Sequence, residues 1–263
     1  EAEEGAANHL KGALAVFITV LAVAVSVFHL YTAYAIVPTQ TLRPLHVSMV
    51  LVLTYMMFPI ASRFRHRIML WDWVAVILSI AVVWYLIQGG DDFTDRNTMP
   101  ENWDIFFGIV LIGLILETMR RTNGWIMPVI TLGFMAYALV GPWLPAPWTH
   151  KGYEVGRLIG VLYMTLEGIY GSAVDVSSSL IILFTIFGAF LQYSGAGKFY
   201  IDFSFAAMGG KPTGAGRTVV LASFLLGGPS GSGVATTVTL GAVAYPMLAK
   251  VGYEKNAAGG LLS

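Results

Sequence analysis

Seven stretches of this chain contain no Asp, Glu, Lys or Arg: residues 12–42, 44–62, 73–90, 105–116, 122–150, 176–197 and 218–249. A charge at the centre of a bilayer costs at least about 2.5 kcal/mol, so such gaps mark where a chain can enter lipid. Only 11% of the 263 residues are charged and 56% are hydrophobic. An average soluble domain is roughly 25% charged. The pattern predicts an all-α polytopic membrane protein with about six spanning helices, an interfacial helix and a re-entrant helical hairpin. Spans are expected at Ala13–Ile36, Leu45–Ala61, Trp71–Ile87, Trp103–Met119, Trp125–Gly141 and Ser177–Tyr193, with tryptophans 71, 103, 125, 143 and 148 at edges where an amphipathic ring is favoured.

Lysines and arginines in the short connections set the orientation. Lys11, then Arg63, Arg65 and Arg67, then Arg120 and Arg121 fall on one side, while Arg43, Arg96 and Lys151 fall on the other. The positive-inside rule makes the first side cytoplasmic and places the N terminus there. The connection from Gly89 to Asp104 is acidic, as suits the outer face. The first apolar run is longer than the roughly 7 to 15 residues of a signal-peptide core, and reads as a retained anchor. Residues 153–176 are interrupted by Glu154, Arg157, Glu167 and Asp175, so helix lying in the outer interface is expected there.

The last charge-free run is cut midway by Gly227-Gly-Pro-Ser-Gly-Ser-Gly233. Glycine weakens helix and Pro229 lacks a backbone donor, so helix is expected to stop near Leu226, leaving a first arm of about ten residues, half of a crossing. Both flanks, Arg217 and Lys250, are basic. With both ends in the cytoplasm, residues 217–251 form a re-entrant hairpin whose tip reaches toward the membrane midplane. Non-helical backbone at that depth must be buried in protein or line a polar cavity. Broken helices of this kind bind coupling ions through carbonyls and hydroxyls, and anionic substrate groups at the N-terminus of the following half-helix. The candidate ion and substrate residues are Ser230, Gly231, Ser232, Gly233, Thr236 and Thr237, with Na+ at Ser230 and Ser232 or H+ as coupling ion. The competing reading is a Gly/Ser kink or a close packing face.

Phe187-Gly-Ala-Phe-Leu-Gln-Tyr-Ser-Gly-Ala-Gly197, Gly209-Gly210, Gly227-Gly-Pro-Ser-Gly-Ser232, Gly241, Tyr245-Pro246 and Val251-Gly-Tyr253 resemble the large membrane subunit of tripartite ATP-independent periplasmic (TRAP) transporters. The likeness is greatest to the fused permeases of the TAXI branch, in which a four-helix small-subunit equivalent precedes the large subunit. It is specific from about Gly168 onward; the earlier residues match in span number and not in motif. The resemblance implies residues 1–121 as the four-helix unit and 122–263 as the first half of the transport domain. It further implies an elevator-type importer in the bacterial inner membrane, driven by a sodium or proton gradient, that receives a small organic acid from a periplasmic solute-binding protein. In that family a second inverted repeat follows. The sequence stops at Ser263, so the expectation divides between a fragment of a longer polypeptide and a truncated, non-transporting relative that serves as a structural subunit of another membrane complex.

Other chemistries find little support. The absence of cysteine excludes disulfides, thiolate metal sites and a thiol nucleophile, and the balanced charge leaves no nucleic-acid footprint. Gly228-Pro-Ser-Gly231 superficially resembles a rhomboid-protease motif, but no histidine follows Ser230 to act as base. Gly209-Gly-Lys211 lacks the spacing of a phosphate loop. His29 and His46 invite a haem reading; their expected depths differ, and a histidine near a helix end more often bonds to backbone. Asp72 and Glu117 are expected to pair with Arg63 to Arg67 or with Arg120 and Arg121 at the cytoplasmic surface, and Asp175 to sit at a helix N-cap. The chain reads as a non-enzyme with no resident cofactor.

Overall fold

The computed structural model describes residues 8, 10–208, 214–230 and 233–262, and every regular element among them is helical. The chain divides into two compact units, Glu1–Ser178 and Ser179–Ser263.

In the first unit, α1 (Ala13–Tyr34), α2 (Thr39–Met57), α3 (Leu70–Asp95), α4 (Asn102–Asn123) and α5 (Ile126–Val140) follow one another closely, then come α6 (Val155–Met164) and the short α7 (Ser172–Val176). α1 and α5 turn most of their apolar side chains outward, with Val16, Val20, Val23 and Val27 on α1 and Val129, Ile130, Leu132 and Phe134 on α5 all exposed. Water would disfavour such surfaces and hydrocarbon does not. Among the described residues, five helical segments are long and apolar enough to cross a membrane: Ala13–Tyr34, Leu70–Thr98, Asn102–Asn123, Ile126–Trp143 and Ser172–Leu191. The protein is therefore an all-α polytopic membrane protein.

The expected span at Leu45–Ala61 is absent from those five. It is replaced by α2, which begins earlier and carries Arg43, Pro44, His46 and Ser48 in its first half. Its 19 residues still reach about 28 Å. What compensates for its polarity is position, since α2 packs on α1, α3, α4 and α7 and buries His46, Val47, Ser48, Leu51, Val52, Tyr55 and Met56. Polar side chains are tolerated there because they find partners inside the unit. Ser48 donates to the Ser79 carbonyl at 3.1 Å and the Tyr55 hydroxyl to the Leu114 carbonyl at 2.7 Å.

α3 and α4 are fastened at both ends. Asp72 at the start of α3 meets Arg121 at the end of α4, and Arg96 just past α3 meets Asp104 at the start of α4. Each aspartate also accepts the backbone N–H three residues earlier, Met69 or Glu101, and so caps its own helix. α6 packs closely on α4 at Gly108 and on the Arg96–Thr98 turn at Gly160. A Cβ on Gly108 would collide with Ile159, and one on Gly160 with the Asn97 carbonyl.

In the second unit a π-helical turn, Ser177–Ile181, which straddles the division, leads into α8 (Ile182–Tyr193), followed by α9 (Ala196–Met208), α10 (Gly214–Ser230), α11 (Gly233–Lys250) and α12 (Lys255–Leu262). Val219 and Ala222 of α10 share a buried cluster with Leu240, Ala244 and Leu248 of α11 and Ala258 of α12. Val219 lies near the start of α10 and Leu248 near the end of α11, so two helices joined by two residues and packed along their length run antiparallel.

Candidate functional site

The hairpin expected at residues 217–251 is formed by α10 and α11, but with longer arms than the residues suggested. Helix continues through Gly227, Gly228 and Pro229 to Ser230, which corrects the expected stop near Leu226. Pro229 lacks the N–H that would bond the Leu225 carbonyl, and because it is the last residue but one of α10 that loss is confined to the final turn. The first arm is 17 residues, about 25 Å, and the second 18 residues, about 27 Å.

Of the candidate ion and substrate residues, Ser230 closes α10 and Gly233 opens α11. Thr236 and Thr237 lie in the opening turns of α11, and the Thr237 side chain is exposed. Gly231 and Ser232 lie outside the described residues, as do the side chains of Ser230 and Thr236. The N-terminal end of α11, with its unpaired N–H groups and partial positive charge, faces the connection. At the other end of the hairpin a cleft of about 600 Å³ is lined by Met208, Arg217, Val220, Phe224, Tyr253 and Leu261.

Asp72 and Glu117 have the expected partners. Arg121 donates from Nε to Glu117 at 2.8 Å and from Nη1 to Asp72 at 2.6 Å and to the Phe58 carbonyl at 3.0 Å; Arg120 binds Glu117 at 2.7 and 2.8 Å. Asp175 lies in the first turn of α7, the N-terminal helix region expected for it. It accepts from Arg43 Nε at 3.1 Å and Nη2 at 2.9 Å, while Arg43 Nη1 donates to the Tyr170 carbonyl at 2.9 Å. The clamp holds α7 against α2.

One polar cluster was not foreseen. His29 and His46 were expected at different depths, yet their rings meet inside the first unit, with His29 fully buried and His46 4% exposed. His29 Nδ1 lies 2.7 Å from the Val25 carbonyl, His29 Nε2 2.9 Å from His46 Nδ1, and His46 Nε2 3.0 Å from Ser177 Oγ. α2 starts six residues before its expected first residue, Leu45. That places His46 two turns into the helix instead of at its end. All four ring nitrogens have partners within the protein, whereas axial haem ligation needs a free nitrogen on each ring facing a common iron. Three consecutive serines after Asp175 were the visible signal that a polar partner was near.

These features define a class, a polytopic helical membrane protein with an antiparallel helical hairpin near its C-terminal end. A profile of the tripartite ATP-independent periplasmic transporter, DctM component, matches residues 109–263, more than half of the chain, and the chain belongs to that family of membrane transport permeases. Over 80 residues it is 34% identical to the 2,3-diketo-L-gulonate TRAP transporter large permease protein YiaN of Escherichia coli (strain K12), a match covering 30% of this chain and 19% of that relative. The match thus spans about a fifth of the curated relative's length. No solved structure matches the chain.

Proposed function

We propose that the chain is the N-terminal part of a fused TRAP permease of the TAXI branch, with residues 1–121 as the small-subunit equivalent and 122–263 as the first half of the transport domain. It works in the bacterial inner membrane with its N terminus in the cytoplasm. Its substrate is a small organic acid delivered by a periplasmic solute-binding protein, and its uptake is driven by a sodium or proton gradient. The observation that carries this reading is the antiparallel α10–α11 pair, whose arms end at Ser230 and begin again at Gly233 inside the family-matched region. In this assignment Ser230, Gly231, Ser232, Gly233, Thr236 and Thr237 contribute to the ion and substrate site, with hydroxyls available to a cation and the α11 N-terminus to a carboxylate.

The test is gradient-driven uptake of radiolabelled C4 to C6 carboxylates into proteoliposomes holding the polypeptide that contains this segment together with its cognate binding protein. Replacing Ser230 and Ser232 together by alanine is expected to reduce uptake at least tenfold while leaving folding intact. Normal transport by the double variant rejects the site, and no uptake under any ion gradient rejects the transporter reading in favour of a structural subunit.

A further inference from the structure

The partners of the buried histidines determine their protons. A carbonyl oxygen only accepts, so His29 Nδ1, 2.7 Å from the Val25 carbonyl, carries a hydrogen. In the neutral ring His29 Nε2 is then an acceptor, and His46 Nδ1, 2.9 Å away, must donate to it. This leaves His46 Nε2 with a lone pair, which receives the Ser177 hydroxyl at 3.0 Å. The neutral cluster is a one-way chain from Ser177 O–H through His46 and His29 to Val25, with both rings in the Nδ1–H tautomer that solution disfavours.

We propose that this chain is a binding site for a single proton, entered at His46 Nε2. A proton added to that lone pair turns the nitrogen into a donor, and Ser177 Oγ accepts from it after its hydroxyl hydrogen rotates away. The hydrogen between the rings is then shared by two nitrogens, and the positive charge spreads over both imidazoles. No hydrogen bond of the neutral chain is lost from either ring. A second proton would set two N–H groups against each other at 2.9 Å, so the capacity is one.

The surroundings suit that charge without neutralising it. α1 has no Asp, Glu, Lys or Arg along its length, and Phe28 packs edge-on against His29 at 5.3 Å. From α2 the neighbouring charge is Arg43, one turn before His46, and from α7 it is Asp175, two residues before Ser177; these two bind each other. The Tyr170 backbone carbonyl belongs to the same clamp, and its side chain is buried. α3 faces α2 with Ser79 beside Ser48, while its Asp72 is held by Arg121 at one end and Asp91, Asp92 and Asp95 lie three or more turns away at the other. On α4, Asp104 is occupied by Arg96. Asp175, with its side chain 49% exposed, provides the polar approach to Ser177. Ser177 itself opens a π-helical turn, a local distortion that proteins keep mostly at functional positions. The inference stands on hydrogen-bond geometry and does not depend on the transport reading.

The experiment is nuclear magnetic resonance of ring nitrogens in the whole chain, labelled with 15N-histidine and held in phosphatidylcholine nanodiscs, as the pH falls from about 8 to about 3. The expected spectra show two histidines in the Nδ1–H form at the upper end, which then move together with one midpoint and a total uptake of one proton. His29→Gln abolishes the joint transition and leaves His46 with a midpoint of its own. Ser177→Ala, at a partly exposed position that leaves the helices intact, weakens proton uptake by the pair. Rings that keep neutral signals over the whole range, that titrate as two independent protons, or that are indifferent to Ser177→Ala overturn the proposal.

Discussion

Arg121, in the last turn of α4, donates to Asp72, in the first turn of α3, at 2.6 Å, and both side chains are 2% exposed. The other ends of the same two helices repeat the arrangement. Arg96 grips Asp104 through Nε at 2.8 Å and Nη2 at 2.9 Å, and the Tyr85 hydroxyl adds a third bond at 2.8 Å. Asp104 and Arg121 are 17 residues apart on α4, about 26 Å, which approaches the hydrocarbon thickness of a bilayer. The two clamps therefore sit where interfaces would be, and join the helices at both levels.

Asp72→Ala leaves the buried Arg121 guanidinium short of a partner and is expected to cost about 3 to 5 kcal/mol. Asp104→Ala leaves Arg96, whose side chain is 27% exposed, and is expected to cost less, about 2 to 3 kcal/mol, though still more than Glu117→Ala, whose carboxylate is 32% exposed. Thermal unfolding in detergent, ranked across the three variants, checks the order. Equal losses would mean that burial is not what makes the aspartates important.

Two buried tyrosines should respond oppositely to loss of the hydroxyl. Tyr163 donates to the Val82 carbonyl at 2.7 Å, so Tyr163→Phe removes the second of the two bonds that this helical carbonyl accepts and costs about 0.5 to 1.5 kcal/mol. The Tyr170 hydroxyl is buried with no hydrogen-bond partner among the described residues, and Tyr170→Phe is expected to be neutral or stabilising. Chemical denaturation of the two variants side by side distinguishes them.

Burial pushes the Tyr170 phenol up, out of the range of an exposed tyrosine. The folded chain therefore holds this proton when the unfolded chain has lost it. Stability is expected to be indifferent to Tyr170 below about pH 10 and to fall as pH rises above it. Tyr170→Phe should remove part of that alkaline slope, which a stability titration between wild type and variant would read.

Glycines where α6 meets α4 and the Arg96–Thr98 turn are expected to resist enlargement. Gly108→Ala and Gly160→Ala force a methyl into Ile159 and into the Asn97 carbonyl, at about 1 to 3 kcal/mol each. Gly113→Ala on the same helix meets nothing within 4 Å and should be neutral or gain up to about 1 kcal/mol from helix propensity. Melting temperatures of the three alanine variants test the contrast.

Much of the architecture was legible because lipid imposes a simple rule on charge. The gaps at 12–42, 105–116 and 122–150 became α1, α4 and α5 with their limits nearly as expected. The hairpin was legible from its breakers, although helix runs four residues further than glycine and proline suggested. α2 was misjudged in its limits because a charged and proline-containing start looks like an end, when in fact it is the helix that the others enclose. The Arg43 partner of Asp175 and the pairing of the two histidines were not legible beyond the hint of three serines at 177–179. These partners are more than a hundred residues away, or on a neighbouring helix whose rotation no local pattern records.

The sequence by itself determined that the chain is helical, that it enters a membrane, and where one apolar run is interrupted, since each of these follows from the cost of charge in hydrocarbon and from the backbone chemistry of glycine and proline. Only the tertiary structure decided which polar side chains answer one another. A hydrogen bond needs two groups within about 3 Å at a favourable angle. Whether His29 faces His46 or lipid depends on how two helices are turned about their axes, and that is set by packing across the whole unit.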